Sequence, residues 1–166
     1  MTEPTVDPIE VTSARQLLED VGVDLEGIVH YEYSASLNKG FMGALPDELE
    51  HTTEYTLLTH LEVTEIGVRL RTDIETPSGK VCADIAAQYV AKVPVHLTHD
   101  AHEEFVNSVA IMAILPFTRE AVMSLSSRIF GKALMMPVMK RGEVSFSIPT
   151  DEPEIEEGEA ADHTED

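Results

Sequence analysis

The strongest constraint on this chain is a two-residue rhythm that recurs four times before residue 98. It is cleanest in "GVRLRTDIET" (67–76), where Val68, Leu70 and Ile74 fall on one side and Arg69, Arg71, Asp73 and Glu75 on the other. Successive side chains of a strand point to opposite faces, so this pattern marks a half-buried strand. "GIVHYEYSASLN" (27–38) places Val29, Tyr31, Tyr33, Ala35 and Leu37 together. "TEYTLLTHLEVTE" (53–65) does the same for Tyr55, Leu57, Leu61 and Val63. "KVCADIAAQYVAKVPVHL" (80–97) aligns Val81, Ala83, Ile85, Ala87, Tyr89, Ala91, Val93 and Val95 and is the least polar on both faces, which predicts a central position. Gly67 and "TPSGK" (76–80) read as tight turns, so the last three strands form an antiparallel meander. "KGFMGALPDELEH" (39–51) is too long for a hairpin and predicts a crossover after the first strand.

Helical segments flank the strands. Residues 11–21 read as a short helix with Ser13 as its cap, Leu17, Leu18 and Val21 as its apolar side, and Gly22 as its stop. "THDAHEEF" (98–105) starts another, with Thr98 or Asp100 as cap and acids in the first turn. It leads into nine apolar residues, Val109 to Phe117, interrupted by Pro116. Proline inside a helix costs about 3 kcal/mol, so a break near Leu115 and a fresh helix from Pro116 are expected. Phe117, Ala121, Val122, Leu125 and Ile129 form its stripe, and Gly131 is suited to end it. Residues 143–148 have the pattern of a short strand.

Charge narrows the function. With 31 acidic and 11 basic residues the net charge is -20. Such a chain repels nucleic acid and anionic bilayers, so neither is an expected partner. Nine acids lie in 151–166, leaving 22 against 11 basic residues before them. That composition predicts a disordered acidic tail over 150–166, and two prolines with three acids predict a flexible arm over 1–10. The lone Cys82 excludes an internal disulfide framework. "MTEPTVDPIE" has neither the basic nor the apolar region of a secretory signal, and no uninterrupted apolar run reaches 18 residues, so a cytoplasmic chain with no membrane insertion is expected.

Ile114-Leu115-Pro116-Phe117-Thr118-Arg119-Glu120, continued by Ser124-Leu125-Ser126-Ser127-Arg128, resembles the principal helix of the export chaperone SecB, with its Leu-Phe-Pro-Tyr-x-Arg-Glu run followed by Ser-Leu-x-Ser-Arg. Met136-Pro137-Val138 falls where that family has Ala-Pro-Val, and "AQYVAKVPVHLTHDAHEEF" (87–105) is similar to its last strand and the acidic start of its helix. The resemblance covers residues 24 to 139. It implies an α+β protein over 11–149: a twisted four-stranded antiparallel sheet with a crossover after strand one, packed by a long C-terminal helix. It further implies an ATP-independent chaperone, not an enzyme and without cofactor, that binds unfolded polypeptides in protein export as a dimer or tetramer. Divergent relatives of the family serve antitoxins, and a single dedicated partner is the alternative reading. One departure stands out. Where the family has a second helix bordering the client groove, this chain has "MKRGEVSFSIPT", with Gly142 and Pro149 opposing a helix.

Site candidates follow from both arguments. Phe41, Met42 and Leu45 on the crossover, Tyr55 on strand two, and Met135, Met136 and Met139 after the helix are client-binding candidates, because methionine and loop-borne apolar groups adapt to varied partners. The methionines also have a plain reading as core caps or subunit seam, and Tyr55 as core or a cross-strand pair. Phe117, Ala121, Val122, Leu125 and Ile129 are the candidate oligomer face. Glu32 and Glu75, on faces expected to be wet, are the positions where the resemblance implies contact with the motor ATPase SecA. His96, His99 and His102 recur at intervals of three beside Asp100 and Glu103, the one pattern compatible with a metal-dependent enzyme; as surface residues they need no such role.

Overall fold

The computed structural model describes residues 7–43, 50–137 and 145–149. Strands β2 (Val23–Leu37), β3 (Thr52–Leu61), β4 (Glu65–Thr76) and β5 (Gly79–Ala91) form one antiparallel sheet in the order β2-β5-β4-β3. The least polar strand, β5, is interior, as its two apolar faces require. β2 and β3 lie at opposite edges, so the connection between them crosses the sheet as expected.

Both turns of the meander carry a physical signature, although one is displaced. At Pro77-Ser78 the Thr76 hydroxyl accepts from the Ser78 and Gly79 amides at 3.2 and 3.0 Å and donates to the Gly79 carbonyl at 2.9 Å. A Cβ at Gly79 would lie 2.1 Å from the Ser36 carbonyl of β2, so only glycine admits that neighbour. The other turn is at Glu62–Thr64, with the Glu62 amide donating to Glu65 at 2.8 Å. Gly67, expected there, sits inside β4 opposite His60 and Gln88. Val63 consequently leaves the strand and is exposed.

Other expectations change. The run 80–97 is two strands. Pro94 has no amide proton to give a ladder, and after it β6 (Val95–Leu97) leaves the sheet to pair in parallel with β1 (Ile9–Val11). The far end of the expected N-terminal arm is therefore paired, Ile9 donating to Pro94 at 2.9 Å. In β2 the alternation breaks at a bulge between His30 and Glu32. Ile28 and His30 precede it on the core side, Tyr33 and Ala35 follow on that side, and Tyr31 turns to the outer face over Arg69. Residues 145–149 run extended but pair with no strand among the described residues; 143 and 144 lie outside them.

The helical parts cover one face of the sheet. Ser13 caps α1 (Ala14–Gln16), accepting from the Gln16 amide, and α1 widens into a π turn (Leu17–Val21) stopped by Gly22 at φ 80°. Ala14, Leu17 and Val21 are buried; Leu18 is exposed, because the wider turn rotates it away. Thr98 caps α2 (His99–Phe105), which passes through a second π turn (Val106–Ala110) into α3 (Ile111–Phe130) and ends at Gly131 in the left-handed region. The expected break at Leu115 is absent: α3 runs through Pro116. Burial of Ile114, Leu115, Ala121 and Val122 on either side holds the helix in place. At about 1.5–3 kcal/mol for each large aliphatic side chain, that burial outweighs the roughly 3 kcal/mol cost of the proline. The stretch His99–Phe130 is long and apolar enough, by length and composition, to span a bilayer, which a count of uninterrupted apolar residues does not reveal. Here the helix packs chiefly on β5 and β2, and its apolar side shares one core with Val68, Leu70 and Ile74 of β4 and Val81, Ala83, Ile85 and Ala87 of β5.

Candidate client-binding site

The sheet's outer face carries a charged network. Asp84, buried on β5, accepts from Arg69 Nε and Nη2, both at 2.7 Å. Arg71 donates to Asp73 at 2.7 and 3.0 Å and to Glu32 at 2.6 Å, and lies 3.5 Å from Asp84. The Tyr31 ring covers the Arg69 guanidinium at 3.9 Å. Hydrogen bonds from Ser34 and then Arg71 hold the Glu32 carboxyl below its usual range. Burial, then the neighbouring Asp73, pushes the Cys82 thiol up to about 12, where it is an unreactive thiol. Glu32 is thus internally paired, whereas Glu75 is exposed on β4.

The helix side of the sheet is where apolar groups and extended chain meet. Tyr55 and Leu57 of β3, Met136 after α3, and Phe146 all pack half-buried against the core, and Ile148 is buried within it. Tyr55 meets Phe146 edge-to-face, ring centres 6.4 Å apart. Asn107, in the π turn, accepts from the Phe146 amide at 2.8 Å and donates to the Phe146 carbonyl at 2.9 Å. Its amide also donates to Glu103 O at 3.0 Å, which orients it. Burial raises the Tyr55 phenol pKa, with the Arg119 charge opposing. A cavity of about 270 Å³ continues the groove past Leu57, Thr59, Ile148 and Pro149.

Of the client candidates, Tyr55 lines this region and Met136 packs half-buried against the core. Met135 is 71% exposed, Phe41 is half-buried at the start of the crossover, Met42 is 96% exposed, and Leu45 and Met139 lie outside the described residues. The α3 stripe divides. Ala121, Val122 and Leu125 are buried in the chain's own core, Ile129 is half-buried, and Phe117, packed edge-on to His30, is exposed along with Met123. The three histidines do not converge. His96 is exposed on β6 and His99 lies 3.5 Å from Glu103. His102 is buried, its Nε2 without a partner among the described residues, and burial followed by the His99 charge lowers its pKa. No group of three metal-ligating side chains occurs among the described residues. Asn107, Phe146 and Ile148 were not candidates. Their signal was faint: Asn107-Ser108 is the one polar pair inside "FVNSVAIMAILPF".

No family model matches this chain, and no curated protein sequence matches it. Among solved structures it is similar to the SecB-like chaperone Rv1957 of Mycobacterium tuberculosis in complex with a ChAD peptide from the antitoxin HigA1. The TM-score is 0.61 at 15% identity, over 77% of this chain and 97% of that one. A protein of unknown function from Streptococcus agalactiae is matched at 7% identity with a TM-score of 0.40, over 71% and 98%. The first likeness establishes the fold as SecB-like: a four-stranded antiparallel sheet with a long C-terminal helix.

Proposed function

We propose that this protein is an ATP-independent chaperone that holds non-native polypeptide without cofactor. The observation that carries the reading is the fold it shares, over nearly the whole length of that neighbour, with a SecB-like chaperone holding a peptide. Exposed apolar groups support it. Met42, Phe117, Met123 and Met135 offer adaptable contacts, and a net charge of -20 keeps a loaded complex dispersed. The working form is a cytoplasmic homo-oligomer, dimer or tetramer, built on the edge of the 15-residue β2 and the exposed side of α3. In general export, Glu75 and the acidic residues of 150–166 would meet SecA; Glu32 would have to leave Arg71 to take part.

A second reading is favoured by the neighbour's bound ligand: one dedicated partner, of the antitoxin class, in place of many clients. The test is to dilute several denatured, slow-folding proteins into buffer with excess chaperone and no ATP. Delayed refolding across clients supports the general role. No effect on any of them, together with one protein recovered in stoichiometric amount by co-purification, supports the dedicated role. Monomers alone in light scattering at micromolar concentration would refute the assembly.

A further inference from the structure

The groove between β3 and the π turn already contains a peptide, and that peptide belongs to the chain itself. Ser145–Pro149 has the alternation of a strand: Phe146 and Ile148 turn inward, while Ser145, Ser147 and Pro149 face out. Yet among the described residues it joins no ladder. Both backbone groups of Phe146 are instead satisfied by one side chain, the Asn107 amide, at 2.8 and 2.9 Å. A carboxamide that offers one acceptor and one donor to the same residue reads backbone and not side-chain identity. The two inward positions are read by what they touch: an aromatic ring against Tyr55, and two residues on, an aliphatic side chain in the core.

The segment does not fill the groove. Between Ser147–Pro149 and Leu57–Thr59 of β3 a cavity of about 270 Å³ leaves room for a bulkier ligand. Before Phe146 lies a space of about 370 Å³ lined by Asp100, Glu103, Glu104, Asn107 and Ser145. Glu104 accepts from the Ala14 amide at 2.8 Å and Glu103 faces His99, so these carboxylates are fixed in place. A cation arriving there would be favoured.

From this geometry we propose that the Asn107–Tyr55–Leu57 groove is the recognition site for extended client peptide, and that Ser145–Pro149 is its resting occupant, displaced when a client binds. The preferred ligand has an aromatic residue, a spacer and an aliphatic residue, with a basic residue upstream. The chain's own "MKRGEVSFSIP" (139–149) has that order. The inference rests on the chaperone reading and adds to it a built-in competitor, which raises the threshold for weak or accidental ligands because a tethered occupant acts at high effective concentration.

The probe is a fluorescent synthetic peptide with the sequence of residues 139–150, titrated by anisotropy into the full-length chain. Phe146→Ser with Ile148→Ser removes both anchors of the resident segment and is expected to tighten peptide binding at least tenfold. Adding Asn107→Leu to that variant should weaken it at least tenfold again. Equal affinity of the unmodified chain and the double variant, or no effect of Asn107→Leu, would overturn the proposal. Should the double variant fail to fold, the unmodified chain decides. Saturating peptide should accelerate hydrogen exchange at the Phe146 amide, which Asn107 holds, at least tenfold, and unchanged exchange there at saturation would refute displacement. Retarded refolding of denatured proteins with the Phe146 amide still protected would leave the chaperone reading standing and remove this one. Displacement by peptide with no retention of any unfolded protein would do the reverse.

Discussion

The Asp84 carboxylate offers the sharpest stability test. Its side chain is 2% exposed, and it accepts two 2.7 Å bonds from one face of Arg69 while Arg71 stands 3.5 Å away. Asp84→Asn keeps the shape but removes the charge and turns one acceptor into a donor facing a guanidinium. Breaking a buried ion pair by removing one partner costs about 3–5 kcal/mol. Arg69 and Arg71 are each about a third exposed, so water offsets part of that loss, and Arg71 keeps Asp73 and Glu32. The expected cost is therefore about 2–3 kcal/mol. For a chain of this size that corresponds to a fall of roughly 4–12 °C in Tm. The control is Asp73→Asn, whose carboxylate is 37% exposed and whose loss should cost about 1 kcal/mol or less. Circular dichroism melts and urea titrations at 0.1 and 0.5 M salt measure both. Buried pairing resists screening, so the Asp84 effect should persist in high salt. An Asp84→Asn chain no less stable than Asp73→Asn, or an effect that disappears at 0.5 M salt, would show that Arg69 and Asp84 are an ordinary surface pair.

Pro116→Ala restores an amide donor within α3 at an exposed position and should stabilise by about 1–3 kcal/mol in chemical denaturation; a loss of stability would mean the helix depends on the proline's fixed φ. Gly79→Ala drives a methyl into the Ser36 carbonyl and should cost at least about 1–3 kcal/mol, with faster exchange in β2 than in β3; equal exchange in the two edge strands would contradict the close approach. His102 has a depressed folded pKa, so below its ordinary value of 6.5 the unfolded chain binds a proton that the folded chain does not. Its contribution to stability is intact above pH 6.5 and declines below it, by up to about 1.4 kcal/mol per pH unit until the folded pKa is reached. His102→Gln should flatten that part of the pH–stability curve, and an unchanged slope between pH 6.5 and 5 would refute the assignment.

The strands, their antiparallel order and the apolar side of α3 were legible in the sequence because each follows from a local period. Val68, Leu70 and Ile74 alternate whatever else the chain does, Ser13 and Thr98 cap helices through bonds to amides three residues on, and Gly131 ends one in the left-handed region that glycine favours. What escaped local reading was decided by partners distant in sequence. The helix continues through Pro116 because packing, chiefly on β5 and β2, buries the residues around it. The bulge that turns Tyr31 outward matches the register of β5, and once β5 ends at Ala91 the residues after Pro94 find β1 more than 80 positions away. The groove is the extreme case. Asn107 and Phe146 are 39 residues apart, and each is unremarked in its own neighbourhood. Only the docking of an extended segment against a π turn converts an amide inside an apolar helix into a clamp, since backbone hydrogen bonding to a side chain leaves no periodic trace in composition.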